Sequence, residues 1–118
     1  MIRDTEITEK QITIPWEEIE AVAHQIARKF KPRKIVLFGS YARGDCHPHS
    51  DIDLLVLLEK KPANVDIEIE IALSVPHKFP MDILVRSQDE LADRLQMGDT
   101  FLQDIVEQGV ILYECPGQ

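Results

Sequence analysis

The stretch FGSYARGDCHPHSDIDLLV, residues 38–56, holds the features that decide the fold. It begins where the apolar run KIVLF ends in Gly39 and Ser40, and it closes on a second apolar run that opens with Asp51 and Asp53. Short apolar, β-branched runs bounded by glycine and polar residues are typical of buried strands. The stretch therefore predicts two core strands joined by a polar loop, with two carboxylates at the start of the second strand.

The two carboxylates share one face of the predicted strand, because side chains alternate between faces and Asp51 and Asp53 are one residue apart. Their Cα atoms would lie roughly 6.6 to 7 Å apart. Carboxylates held side by side repel each other, and burial raises the cost of ionising both. Divalent cations neutralise such a pair, and two Mg²⁺ ions suit phosphoryl or nucleotidyl transfer. On the D-x-D pattern alone, carboxylates that simply face solvent stay an alternative.

Two further features of the sequence could belong to the same site as the two aspartates. Gly39 and Ser40 close a strand, so backbone N–H groups and the Ser40 hydroxyl could face an anion, although an ordinary N-cap turn has the same sequence. Asp82 opens the run DILV, which has the same polar-then-apolar profile as the Asp53 strand. If the two strands are neighbours, the Asp82 carboxylate can reach the same place, and otherwise it only begins a strand.

The rest of the chain predicts helices that alternate with these strands. Apolar residues at spacings of three and four predict a helix over residues 14–30, and the S-x-x-E pattern of Ser87 and Glu90 predicts a capped helix that follows. Another helix is expected over residues 100–108, before a last strand at residues 110–114. Strands alternating with helices indicate an α/β sheet covered by helices.

The segment PANVDIEIEIALSV, residues 62–75, fits two structures. Its isoleucines alternate as they would in a strand, but its apolar positions also fit a helix. We favour a helix that starts near Pro62 and Asn64, because parallel strands need a crossover connection between them.

Composition bounds the domain number and the partners. The 118 residues fit a single domain over 1–118, and the 44% hydrophobic and 29% charged fractions are those of a globular protein. The net charge of −8 disfavours direct nucleic-acid binding, and the basic run at residues 28–34 suits a helix C-terminus better than a phosphate-binding patch. No apolar run approaches the roughly 20 residues that cross a membrane. A cytoplasmic location is expected.

Taken together, the motif GSYARGDCHPHSDIDLLV with a later aspartate resembles the signature of polymerase-β-like nucleotidyltransferases. More narrowly it resembles the minimal nucleotidyltransferase (MNT) antitoxins, which are paired with HEPN-domain toxins. The resemblance covers about residues 16–114. It implies a polymerase-β-like α/β fold with a small mixed sheet covered by helices.

The resemblance also implies roles for individual residues. Asp51 and Asp53 would bind two Mg²⁺ ions, and Asp82 would complete the metal site and assist deprotonation of the attacking hydroxyl. Gly39 and Ser40 would hold the triphosphate of ATP.

The resemblance also assigns roles to two further residues of this motif. Arg43 would contact phosphate or a partner, unless it is only a solvated helix arginine. Ser50 would orient the loop before the D-x-D strand.

The implied function is transfer of AMP from ATP to a hydroxyl group of a partner protein, a HEPN toxin that the transfer neutralises. The chain has no room for an additional acceptor-binding domain, so a partner would supply the acceptor. Two alternatives stay open: a non-catalytic antitoxin that blocks its partner by occlusion, and a transferase for a small hydroxylated molecule held across a homo-oligomer.

Overall fold

A computed structural model describes residues 14–44 and 51–116. Its elements, in chain order, are α1 (Trp16–Phe30), β1 (Lys34–Phe38), α2 (Ser40–Arg43), β2 (Ile52–Leu58), α3 (Ile67–Ser74), β3 (Met81–Ser87), α4 (Gln88–Gln96), α5 (Thr100–Gln108) and β4 (Val110–Glu114). Within the described residues, no helix has the length and apolar character needed to cross a bilayer.

The four strands form one mixed sheet in the order β3-β2-β1-β4. Strand β1 runs antiparallel to both β2 and β4, whereas β2 and β3 are parallel. The parallel pair is connected through α3, as the need for a crossover requires. The prediction of a small mixed sheet covered by helices is confirmed.

Helices cover both faces of the sheet. On one face, Leu54 and Val56 pack with residues of α1 and α3 in the larger buried cluster. On the other, Val36 and Leu55 pack with Leu102 of α5, and leucines of α4 border them. Because side chains alternate along β2, the residue at position 53 points to the α4–α5 face.

The burial pattern of α3 explains why its sequence fits both a strand and a helix. Ile67 and Ile71 are buried, yet Ile69 is 54% and Leu73 is 82% exposed, so apolar residues occupy both faces of this helix. The predicted helix is confirmed, but it starts later than expected, because Asp66 provides the N-cap and accepts a hydrogen bond from the N–H of Ile69 at 3.4 Å.

The edge of the sheet at β3 is joined to α3 by a side chain. The carboxylate of Glu68 accepts a hydrogen bond from the backbone N–H of Val85 at 3.3 Å. Val85 lies in β3, which among the strands of residues 14–44 and 51–116 pairs with β2 alone, so this bond uses a backbone donor on the other edge of the strand.

Helices α4 and α5 are both capped by side chains. The hydroxyl of Ser87 accepts from the N–H of Glu90 at 3.0 Å, and the Glu90 carboxylate accepts from the N–H of Ser87 at 2.9 Å, which confirms the predicted capping box. At α5, Asp99 accepts from the N–H of Leu102 at 3.1 Å and from Nε of Arg94 at 3.0 Å. These local bonds fix the helices that cover the second face.

The basic run at residues 28–34 is used within the fold. Lys29, in the last turn of α1, donates to the carbonyl of Ser74 at 2.6 Å, and Lys34 lies 3.7 Å from Glu114. These contacts agree with the structural interpretation of the run.

Candidate active site

The strand register brings two predicted site residues together. Asp53 of β2 is the Cα partner of Asp82 in β3 and of Phe38 in β1. Because parallel neighbours in register place their side chains on the same face, Asp53 and Asp82 both lie on the α4–α5 face of the sheet. Asp51 is exposed and comes immediately before β2, which begins at Ile52.

The central aspartate is held in an unfavourable electrostatic environment. The pKa of Asp53 is raised, first because partial burial removes water from the carboxylate and then because Asp82 and Asp51 carry like charges nearby. The guanidinium of Arg43 acts in the opposite direction and lowers the pKa of Asp53. Arg43 is therefore close enough for its charge to be felt at the carboxylates.

Hard oxygen ligands that repel one another are suited chemically to Mg²⁺, which would relieve their repulsion. As placed in residues 14–44 and 51–116, however, no group of three or more His, Cys, Asp or Glu side chains has an arrangement that could hold a metal ion. The register thus gathers the backbone positions of the acidic residues, and the carboxylates would have to turn toward a shared ion.

Gly39 packs directly against the central carboxylate. Its φ of 81° and ψ of −157° lie in a region that L side chains rarely adopt. A Cβ added at this position would overlap Oδ2 of Asp53. Glycine is therefore required here twice, by the backbone conformation and by the close approach of Asp53.

The remaining residues of the motif lie near this contact. Ser40 is half-buried at the first position of α2, and Arg43 is exposed in the last turn of the same helix. Ser50, which the resemblance assigns to loop orientation, lies outside the described residues.

A cleft of about 310 Å³ opens beside Asp53, between α2 and α5. The residues that line it and bear on the chemistry are Gly39, Arg43, Asp53, Phe101, Asp104 and Gln108. The last three belong to α5, and sequence reasoning missed them. Their spacing of three and four puts them on one helix face, a signal that becomes useful only once α5 is known to lie beside the end of β1.

The family assignment follows from comparison with known proteins. Residues 20–116 match the family described as "Polymerase beta, Nucleotidyltransferase". The chain belongs to this nucleotidyltransferase family. The predicted resemblance is thereby confirmed, and the strand order and the paired aspartates described above are features of a member of the family.

Individual relatives of this nucleotidyltransferase narrow the comparison. It is 30% identical over 97 residues to a candidate protein adenylyltransferase of Methanocaldococcus jannaschii, which covers 80% of this chain and 94% of that protein. It is 37% identical over 76 residues to the protein adenylyltransferase MntA of Thermococcus cleftensis, with coverage of 60% and 77%. The crystal structure of a toxin-antitoxin with AMP-PNP is similar with a TM-score of 0.54 and 27% identity, over 82% of this chain and 74% of that one.

Proposed function

We propose that this nucleotidyltransferase transfers AMP from ATP, with Mg²⁺, to a hydroxyl group of a HEPN-domain toxin and so acts as its antitoxin. The observation that carries the proposal is the register that sets Asp53 beside Asp82, with Gly39 against the Asp53 carboxylate. Acidic side chains at adjacent strand positions, next to a turn that only glycine can form, have little structural use and a direct catalytic one.

The acidic residues would hold the metal ions. Asp51, Asp53 and Asp82 would serve as the ligands, because the strand register sets Asp53 beside Asp82 and Asp51 comes two residues before Asp53. Desolvation raises the pKa of Asp53 first, and the like charges of Asp82 and Asp51 raise it further. Bound there, Mg²⁺ would offset the charge of the triphosphate and lower the pKa of the acceptor hydroxyl. Asp82, the exposed member of the strand pair, would accept the proton of that hydroxyl.

The glycine turn would hold the donor. Gly39 lets the Asp53 carboxylate lie directly against the turn. The backbone N–H groups of that turn and the hydroxyl of Ser40 would donate to the phosphates of ATP. Arg43 would balance phosphate charge from the far end of α2, since its guanidinium already acts on the electrostatics of Asp53.

Three observations support a protein acceptor that is a toxin. The relatives from M. jannaschii and T. cleftensis carry the names of protein adenylyltransferases, and a similar solved structure is a toxin-antitoxin. The net charge of −8 favours a basic partner. The exposed apolar side chains of Ile69 and Leu73 lie four residues apart on α3 and offer a surface for docking.

Labelled ATP tests the proposal directly. The protein is incubated with α-labelled ATP, Mg²⁺ and the product of the neighbouring gene, and we expect label on that product. Asp53→Asn should abolish the transfer, whereas Asp93→Asn, an exposed aspartate in α4, should leave it intact. Equal labelling in the presence of a chelator would contradict the metal-dependent mechanism.

Occlusion without transfer is the second candidate function. It is favoured by the apolar surface on α3, where Leu73 is 82% exposed, and by the lack of a ready metal-binding arrangement among the described residues. The double change Asp51→Ala and Asp53→Ala distinguishes the two functions. Neutralisation of the toxin that survives this change but is lost in Leu73→Lys would favour occlusion.

A further inference from the structure

The cleft beside Asp53 is lined by two chemically different groups of residues. Gly39, Arg43 and Asp53 form a charged side. The other side is aromatic and belongs mainly to α5: the ring of Phe101 packs edge to face on Phe38, with ring centres 5.8 Å apart and planes at 85°. Phe101 nevertheless stays 54% exposed, so much of its surface is available to a ligand in the cleft.

Helix α5 adds polar groups to the aromatic side. Asp104 and Gln108 line the cleft from the same face of the helix as Phe101, one turn and two turns further along. A carboxylate only accepts hydrogen bonds, whereas an amide both donates and accepts. An aromatic ring followed by these two groups is suited to a flat heterocycle with hydrogen-bonding edges.

We propose that the α5 side of the cleft is the nucleobase subsite of the donor, and that it selects a purine with an exocyclic amino group. Phe101 supplies the stacking surface, and Asp104 and Gln108 contact the edge of the base. This inference rests on the proposed nucleotidyl transfer, since it requires that a nucleoside triphosphate occupy the cleft.

Charge sets the orientation of the nucleotide. The triphosphate belongs on the side of Gly39 and Arg43, because Arg43 is the cation among the described residues that line the cleft and the proposed Mg²⁺ would offset the charge of Asp53, whereas Asp104 on the α5 side would repel a phosphate. The base is uncharged and apolar on its faces, so it belongs against Phe101. Stacking is stronger for the larger purine ring, which favours ATP and GTP over the pyrimidine nucleotides.

Hydrogen bonding sets the choice among bases. The amino group of adenine, and the ring N–H and amino group of guanine, can donate to the Asp104 carboxylate. Uracil presents a single N–H between two carbonyl oxygens. A carboxylate is repelled by those two oxygens. The amide of Gln108 can pair with a donor and an acceptor on the same purine edge, as glutamine does with adenine.

Calorimetry with five probes tests the subsite. The probes are the α,β-methylene analogues of ATP, GTP, CTP and UTP, which cannot transfer their nucleotide, and inorganic tripolyphosphate, which has no base. Each is titrated with Mg²⁺ into the wild type and into Phe101→Ala, Phe101→Tyr and Asp104→Asn. Val106→Ala is the control, because Val106 is a half-exposed apolar residue of α5 that does not line the cleft.

We expect Phe101→Ala to weaken binding of the ATP analogue about tenfold, while tripolyphosphate binding stays unchanged. Phe101→Tyr, which keeps the ring, and Val106→Ala should both bind like the wild type. Asp104→Asn should reduce the ratio of ATP-analogue to UTP-analogue affinity by roughly tenfold. The ratio is the correct measure, because loss of the Asp104 charge favours every triphosphate alike.

Two results would overturn the assignment of the base. One is equal affinity of the wild type for all four analogues and tripolyphosphate. The other is a loss of tripolyphosphate binding in Phe101→Ala as large as the loss of ATP-analogue binding. Either leaves nucleotidyl transfer intact, whereas failure of the wild type to bind any of the five probes would remove the proposed function together with the subsite.

Discussion

Two aspartates of this molecule have pKa values that the fold shifts in opposite directions. Asp99 caps α5, and its pKa is lowered, first by the hydrogen bond from the N–H of Leu102 and also by Arg94. Asp53 lies at the start of β2, and its pKa is raised, first by desolvation and then by Asp82 and Asp51. The fold thus stabilises the ionised form of Asp99 and destabilises the ionised form of Asp53.

The difference separates a structural carboxylate from the one to which we assign a function by proposal. The Asp99 carboxylate gives α5 a partner for an otherwise unpaired N–H, so its charge contributes to folding. The charge of Asp53 meets two further carboxylates and a single guanidinium, so it works against folding. A fold retains such a conflict where a bound cation or substrate resolves it.

The largest effect is expected from Gly39→Ala, which forces the Asp53 carboxylate to move. The new Cβ would overlap Oδ2 of Asp53, and displacement of a catalytic group can reduce the rate roughly a hundredfold. The transfer of labelled AMP to the partner measures this loss.

Gly98→Ala is the matched control for that change. Gly98 has a similar φ of 86°, but an added Cβ would meet nothing within 4 Å. Gly98→Ala thus introduces a side chain at a positive φ without a collision, whereas Gly39→Ala combines a backbone conformation that is essentially restricted to glycine with the collision against Asp53. Equal loss of activity in the two would show that strain alone, and not contact with Asp53, makes the glycine necessary.

A smaller effect is expected on thermal stability, with opposite signs for changes at Asp99 and Asp53. At pH 7 we expect Asp99→Asn to lower the midpoint of thermal unfolding, because it removes a charge that pairs with Arg94. Asp53→Asn should raise the midpoint, because it removes a charge opposed by burial and by its neighbours. Differential scanning calorimetry without divalent ions measures both. A fall in the Asp53→Asn midpoint would contradict the interpretation of Asp53 as a destabilising group.

The pH dependence of these stabilities follows from the two pKa directions. The folded-state pKa of Asp99 is lowered, so its stabilising contribution is present above the unfolded value of about 3.9 and is lost as the pH falls through the folded value. The folded-state pKa of Asp53 is raised, so its ionisation opposes folding above that folded value and ceases to matter below about 3.9. As the pH falls, the unfolding midpoints of both variants should therefore approach that of the wild type, Asp99→Asn from below and Asp53→Asn from above.

The smallest effect concerns the neighbours of Asp53. Asp82→Asn should bring the pKa of Asp53 down toward its ordinary value, and Arg43→Gln should raise it further. Carbon-detected NMR titration of the Asp53 carboxyl measures both shifts. Movement in the same direction in the two variants would show that conformational change, and not charge, dominates.

Sequence reasoning succeeded where structure is set locally or by topology. The capping box of Ser87 and Glu90 spans three residues, and the placement of Asp82 beside Asp53 follows from a parallel pair joined by a crossover helix. The α/β sheet covered by helices followed from the alternation of strands and helices, whereas the polymerase-β-like fold was implied by the resemblance of the motif to that family. A single domain over residues 1–118 and a cytoplasmic location stay predictions.

The residues of α5 that line the cleft could not be identified from the sequence. Phe101, Asp104 and Gln108 look like members of an ordinary amphipathic helix, in which Leu102 and Ile105 supply the buried face. Which of the remaining positions meets the cleft depends on how α5 crosses the sheet, and that angle is a result of tertiary packing. The start of α3 was missed for a local reason, because Asp66 outcompetes Asn64 as the cap.

The bond between Glu68 and Val85 also has a consequence for how copies of this protein behave toward one another in a crowded solution. An outer strand with free amide groups recruits foreign strands and seeds insoluble assemblies. Here one of the outward amides of β3 is already occupied, and the occupant carries a negative charge that an approaching strand must displace. A single glutamate thus ties a crossover helix to its sheet and occupies one of the amides with which a foreign strand would pair.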